Sequence, residues 1–223
     1  MKFIIILILA VGAITAWLYL QDNKNNKKQR YKKTKTPKLT PEEKGEIGER
    51  TIKEKILREL NHNERILNNY IIKGSSAETS QIDHIVIKPS GIYVIETKNY
   101  EGKIYGSIND FKWTQVMAGG HVKNTFYNPL KQNQTHIKNI RTYIDKKVPI
   151  YSMVVFIHAD INEIAWIKEI YTPHTMMLNF EYHSDEHYLS DEEILEIYQK
   201  LKDNREYISN YEHVQNVNKY LSK

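Results

Sequence analysis

The chain of 223 residues contains no cysteine. That excludes disulfide bonds, thiolate nucleophiles and cysteine-ligated zinc, and it agrees with a reducing compartment. There is no G-x-x-x-x-G-K-[ST] loop and no G-x-S-x-G elbow, so neither an intrinsic NTPase nor a serine hydrolase is expected. The nine histidines include no H-E-x-x-H pair; His183 and His187 alone are spaced four apart, in an acidic stretch that reads as exposed and solvated. No internal repeat is present.

Positive charge is also scarcer than a sequence pI near 9.0 suggests. Eight basic residues fall together at Lys24, Lys27, Lys28, Arg30, Lys32, Lys33, Lys35 and Lys38, against Asp22 alone. With these and Lys2 set aside, residues 39–223 hold 23 basic and 26 acidic residues, so the globular part is not basic. Binding of duplex DNA ordinarily shows as a basic stripe, because affinity comes largely from neutralising phosphates. Lys103, Lys112, Lys123, Lys131 and Lys138 are the residues from which a local stripe could be drawn, which the sequence does not establish.

What is present begins with an uncharged run over residues 3–20, with Trp17 and Tyr19 near its end. As a helix it is long enough for a hydrocarbon layer of about 30 Å. An uncleaved anchor is expected over a signal peptide cut near Val11-Gly12-Ala13, because the apolar run continues past that point. The basic run behind it places that side in the cytoplasm, giving a single-pass cell-membrane protein with its N-terminus outside. Each of those charges also adds about 1 kcal/mol of attraction to anionic lipid.

Two strands carry the candidate chemistry. Gly91-Ile92-Tyr93-Val94-Ile95-Glu96-Thr97-Lys98 is rich in β-branched and aromatic residues, and Gln81-Ile82-Asp83-His84-Ile85-Val86-Ile87 reads as a second strand. Lys88-Pro89-Ser90-Gly91 supplies the turn between them. Side chains two apart share a face, so Glu96 and Lys98 stand with Ile92 and Val94. If Pro89 and Ser90 form the loop, Ile87 pairs with Ile92 and Asp83 falls opposite Glu96, with Cβ atoms roughly 5 Å apart. Two carboxylates so close repel unless a cation or a shared proton intervenes, and Mg²⁺ is the natural resident of an oxygen-ligand site. Lys98 beside them can orient or help deprotonate an attacking water, or neutralise charge building on a phosphate.

Two helices add candidates. Thr40-Pro41-Glu42-Glu43 is a helix start, from which Gly45, Glu49, Ile52, Ile56 and Leu60 fall on one stripe. Glu49 is thereby on the buried face, where it needs a partner, and Gly45 and Gly48 would let this helix approach another element closely. Asn128-Pro129-Leu130-Lys131 opens a second helix, with Gln132, His136 and Ile140 along one side. Gln132 has the better functional claim of these; His136 reads equally well as a boundary residue.

The order Gly45-Glu46-Ile47-Gly48-Glu49, then Ile82-Asp83-His84-Ile85-Val86-Ile87, then the strand ending Glu96-Thr97-Lys98, then Trp113, then Asn128-Pro129-Leu130-Lys131-Gln132, resembles the nuclease-related domain, NERD. That domain is grouped with the PD-(D/E)XK nucleases. The resemblance implies an α/β fold, a three-layer α/β/α restriction-endonuclease-like domain with a mixed central sheet, preceded here by the transmembrane helix. It implies a Mg²⁺- or Mn²⁺-dependent nuclease acting on DNA. Asp83 and Glu96 would be metal ligands with the Thr97 carbonyl a further one, Lys98 the catalytic lysine, Glu49 the first-helix acid supporting the metal, and Gln132 the helix glutamine near the scissile phosphate. The proline that precedes the Asp in the superfamily is replaced by Ile82. A membrane-tethered binding or interaction module without turnover is the alternative.

The expected organisation is an anchor over 1–20, a basic linker over 21–39, the nuclease-like domain over 40–160 and a mainly helical extension over 161–223. Between residues 102 and 127, short hairpin strands are expected, with Trp113 a packing residue. Residues 151–157 read as an interior strand, and His158 and Asp160 after them as ordinary loop residues. Ser190-Asp191-Glu192-Glu193 is a capping box opening a helix, and a last amphipathic segment runs over 205–221. These helices either cover the sheet or bind a partner.

Overall fold

A computed structural model describes residues 15–25, 39–73, 79–144 and 147–206. The chain divides into two compact units, residues 1–41 and 42–223. In the first, residues 15–25 are helical and exposed. No helix among the described residues is long and apolar enough to cross a membrane. Most of the expected anchor, residues 3–14, and the basic run from 26 to 38 lie outside the described residues, as does the segment from 207 onward.

The second unit is mixed α/β. In chain order its elements are α1 (Pro41–Glu59), β1 (Arg65–Lys73), β2 (Thr79–Lys88), β3 (Gly91–Lys98), β4 (Lys103–Tyr105), β5 (Lys112–Met117), β6 (Val122–Tyr127), α2 (Pro129–Arg141), β7 (Ile150–Phe156), β8 (Ile170–Tyr171), α3 (Pro173–Tyr182) and α4 (Asp191–Asp203). A five-stranded sheet has the order β1-β2-β3-β7-β8, and β4-β5-β6 form a separate three-stranded sheet. The large sheet is mixed: β1, β2 and β3 are antiparallel, whereas β7 runs parallel to β3 and β8 parallel to β7. As the apolar run predicts, β7 is an interior strand.

Both faces of the large sheet are covered, because β2 and β3 are apolar at successive positions rather than alternate ones. Ile85, Ile87, Ile92 and Val94 pack with Ile140 of α2 and Ile194 and Leu201 of α4. Val86, Tyr93, Ile95 and Met153 pack on the other side with Ile52 and Ile56 of α1 and Met176 and Phe180 of α3. The C-terminal helices α3 and α4 therefore cover the sheet, one on each face.

With two apolar faces, burial alone does not fix the β2/β3 register, since a slip of one residue still buries isoleucine and valine. The tight turn fixes it. Ile87 pairs with Ile92 and Lys88 with Gly91. Gly91 has φ 135°, and a Cβ there would stand 2.7 Å from the Pro149 carbonyl oxygen, so only glycine fits. The loop is tied down from the other side, where Tyr188 and Leu189 donate their N–H groups to the Pro89 carbonyl at 2.8 and 3.1 Å.

The small sheet leaves the large one after Lys98 and returns to it at α2. Trp113 is fully buried, stacked 6.4 Å from Phe156, and donates its indole N–H to the Ser107 carbonyl at 2.9 Å. Asp160 does more than the expected loop residue. Its N–H donates to the Gly102 carbonyl and its carbonyl accepts from Ile104, which joins β4 to the segment after β7.

Candidate functional site

The site forms where regular pairing around β2 breaks off. The β2/β3 ladder ends at His84 opposite Ile95, one step short of Asp83 and Glu96. On the other side the β1/β2 pairing passes from Asn68↔His84 to Tyr70↔Ile82, skipping Asn69 and Asp83. Asn69 has φ 50°, a left-handed conformation that asparagine tolerates better than most residues. In place of a ladder bond, the Asp83 carboxylate accepts the Thr97 backbone N–H at Oδ2, 2.7 Å away. Asp83 is thus held against β3 by its side chain, and Thr97 enters the site through its amide. The Thr97 hydroxyl is buried and has no hydrogen-bond partner among the described residues.

At the end of β3, Lys98 Nζ lies 2.6 Å from Glu96 Oε1 and 3.2 Å from Gln132 Oε1. Glu96 is 2 % exposed, and its other oxygen, Oε2, accepts from His136 Nε2 at 3.2 Å. The other ring nitrogen of His136, Nδ1, is hydrogen-bonded to the Ser80 hydroxyl, 2.6 Å away. Both oxygens of Glu96 are therefore fixed, one by β3 itself and one by α2.

The sequence explains why α2 arrives in this register. Asn128 caps it, its side chain accepting from Leu130 N–H at 2.9 Å, and Pro129 takes the first turn. Asn128 Nδ2 also donates to the Asp110 carbonyl at 2.8 Å, tying the helix start to the β4–β5 turn. One turn on, the fully buried Asn133 donates to the Val94 carbonyl and to Ser152 Oγ, both at 2.9 Å. Gln132 and His136 are thereby set above Lys98 and Glu96.

Helix α1 brings Glu49 from the opposite side of the sheet. Gly48 permits the approach: a Cβ there would meet Asn99 Cβ at 2.7 Å, whereas one at Gly45 would meet nothing within 4 Å. Asn99 fixes the contact by donating to the Lys44 carbonyl at 2.7 Å. Of the two glycines read as contact points, only Gly48 is one.

The electrostatics are those of crowded carboxylates. Burial pushes Asp83 well above the usual aspartate range, and the charges of Glu96 and Glu49 push it further; Lys98 and the Thr97 N–H oppose. Burial likewise raises Glu49, reinforced by Glu96 and Glu46. Burial would raise Glu96 too, but Lys98 and His136 outweigh it and hold this carboxyl well below its ordinary value. Lys98 loses hydration by burial, yet Glu96, Tyr100 and Asp83 keep its ammonium charged. Burial lowers His84, on the strand beside Asp83, to about 4, so it stays neutral at physiological pH.

Carboxylate oxygens are the donor type that a hard divalent cation takes. Burial first, and the neighbouring carboxylates after it, raise the proton affinity of Asp83 and Glu49, and a divalent charge would relieve the part that comes from repulsion. Among the described residues no group of three or more histidine, aspartate or glutamate side chains is arranged so that it could hold a metal ion by itself. Asp83 and Glu96 share the end of the β2–β3 hairpin, while Glu49 acts on them from α1 through its charge.

The structure brings together Asp83, Glu96, Thr97, Lys98 and Gln132 by direct contacts and Glu49 electrostatically. His136, which the sequence left open between a site residue and a boundary residue, is 4 % exposed and bonded to Glu96. Ser80, Asn133 and Asn99 were not legible as site residues. For Asn133 the signal available was its place one residue from Gln132 on a helix whose start was recognised. His183 is half-buried rather than solvated, with Nδ1 3.0 Å from Glu186 Oε1 and its ring tilted against that of Tyr151, centroids 4.7 Å apart.

The family model described as the nuclease-related domain matches residues 44–157, just over half of the chain. An uncharacterised protein of Bacillus anthracis is 40% identical over 119 residues, which make up 53% of this chain and 55% of that protein. The chain spans about half the length of that curated relative. No solved structure matches.

Proposed function

The chain belongs to the nuclease-related domain family, and on that premise we propose that the end of its β2–β3 hairpin is a metal-dependent site hydrolysing phosphodiester bonds in DNA. The observation that carries this reading is the convergence of Asp83, Glu96 and Lys98, with Asp83 raised by burial and by the charges of Glu96 and Glu49, and Glu49 raised by burial and by Glu96. A restriction-endonuclease-like three-layer architecture follows from the same premise, with helices on both faces of the mixed sheet.

Asp83 and Glu96 would hold the cation, with Glu49 and the Thr97 carbonyl as supporting oxygens. Mg²⁺ or Mn²⁺ bound there supplies Lewis acidity at the phosphate and acidifies water. Lys98 stays a cation, because Glu96 and its neighbours keep its proton in place. It therefore offsets the charge that grows on the phosphate and orients the attacking water, and does not serve as the base. Gln132 fixes the Lys98 ammonium from α2, and His136 fixes Glu96.

The N-terminal sequence supports a membrane location. The apolar run over 3–20 would anchor the chain, and the basic residues behind it would bind anionic lipid and keep residues 42–223 cytoplasmic. A second reading, a tethered binding module without turnover, is favoured by one observation: Glu96 and Lys98 already neutralise each other at 2.6 Å.

Incubating the full chain with single-stranded, duplex and branched DNA, with Mg²⁺, Mn²⁺ or chelator, separates the two. Cleavage that needs the metal is expected. Binding without cleavage under every condition would replace the hydrolase with the binding module.

A further inference from the structure

The small β4-β5-β6 sheet has one buried and one open face. Ile104, Trp113 and Phe126 point inward against Val154 and Phe156. The cross-strand pairs Lys112↔Tyr127, Val116↔Lys123, Tyr105↔Thr114 and Lys103↔Val116 then place Lys103, Tyr105, Lys112, Lys123 and Tyr127 together on the other face. Phe111, at the start of β5, adds a ring packed edge-on against Tyr127, with centroids 5.2 Å apart. Tyr105, Phe111 and Tyr127 are 39 %, 62 % and 38 % exposed. The three strands contain no acidic residue. Acids flank the strands rather than lie in them: Asp110 precedes Phe111, and Asp160 is 4.0 Å from the half-exposed Lys103.

We infer that this open face binds single-stranded DNA, its rings stacking on bases and Lys103, Lys112 and Lys123 neutralising phosphates. Exposed rings interleaved with lysines suit a strand whose bases are unpaired, because a duplex hides its base faces in its own stack. A sheet face whose strands carry lysines and no acidic residue complements the phosphate backbone, although residues 39–223 as a whole are slightly acidic. Chain order adds direction. The small sheet departs from β3 directly after Lys98 and returns through Tyr127 and Asn128 to Gln132, which touches Lys98. A strand lying on it would be delivered beside the candidate site. This inference rests on the phosphodiesterase reading for its purpose and on the sheet alone for its chemistry.

Fluorescence anisotropy of the full chain with a labelled oligonucleotide of about 12 nucleotides, in chelator so that no cleavage intrudes, tests it. The basic run over 24–38 also binds phosphate, but equally in every variant. Phe111→Ala and Tyr127→Ala should each weaken single-strand binding about 5- to 100-fold, while Phe111→Tyr, which keeps a ring, restores it. The combined Lys103→Gln, Lys112→Gln and Lys123→Gln variant should flatten the slope of log affinity against log salt by about 2. All these side chains are at least partly exposed, and circular dichroism checks that the variants fold. Unchanged affinity and slope, or duplex or RNA bound as tightly as the single strand, overturns the inference. So does a ring requirement seen only in self-association by sedimentation, which would make β6 a contact between copies. A wild-type chain that never cleaves DNA but shows these losses defeats the hydrolase reading and leaves the binding surface standing.

Discussion

His136 Nε2 lies 3.2 Å from Glu96 Oε2, at the far side of the carboxylate from Lys98. The imidazole is itself oriented by Ser80, so Glu96 is held at both oxygens by groups from two different elements. On the proposed reading, a carboxylate fixed in this way would need no reordering to bind a cation. Loss of such a supporting partner typically costs 10- to 100-fold in metal affinity.

His136→Ala should accordingly lower Mn²⁺ affinity by about 10- to 100-fold while leaving the helical content intact. Calorimetry measures the affinity. Equal affinity in wild type and variant would show that His136 only fills space.

Asp83→Asn should stabilise the metal-free protein at neutral pH. Burial and the neighbouring carboxylates raise the Asp83 proton affinity in the folded state. A raised folded-state value means that the stability is fully present below the unfolded aspartate range, about pH 4, and is lost as pH rises through the folded value. Asparagine escapes that loss and can still accept the Thr97 N–H. Melting temperatures should coincide at the acid end and diverge upward in pH, the variant gaining about 2–4 °C for each kcal/mol recovered. A variant less stable at pH 7 than wild type contradicts the crowding of carboxylates.

Gly45 and Gly48 should respond oppositely to alanine. Gly45→Ala adds a Cβ into open space within a helix and should stabilise by about 0.5–1 kcal/mol. Gly48→Ala drives a Cβ to 2.7 Å from Asn99 Cβ, and overpacking of about 1–3 kcal/mol should cancel or exceed the same helical gain. Urea unfolding compares them; equal stabilisation by both would mean that α1 does not seat against the end of β3.

A reporter fused after Lys223 should behave as cytoplasmic, since eight basic residues follow the apolar run. A C-terminus open to protease on intact cells would reverse the orientation and remove genomic DNA from reach.

Much of the site was legible because its chemistry is local. Pro89, Ser90 and Gly91 set a turn whose register can be counted, and that count brings Asp83 and Glu96 to the same end of the hairpin. Asn128 and Pro129 announce α2, and with it Gln132. What was not legible depends on partners distant in sequence. The skipped pair at Asn69 and Asp83 depends on β1, and the parallel pairing of β3 with β7 joins segments more than fifty residues apart. His136 was left open between a site residue and a boundary residue because nothing in its helix shows that Glu96 and Ser80 meet it. Helix α3 opens on Thr172 with Thr175 in place of the usual acid, a weaker signal than Ser190 with Glu193 in α4.

Single-turnover cleavage by wild type and Lys98→Ala, with Mn²⁺ affinity measured beside it, tests the hydrolytic site most directly. Lys98 bonds to Glu96 and Gln132 and is not a ligand, so its loss should leave the metal bound. The rate should fall about 10²- to 10⁴-fold, the usual cost of removing a positioned acid, base or charge. Equal cleavage by both proteins would contradict the assignment of Lys98, and no cleavage by wild type with either metal would contradict the hydrolytic site itself.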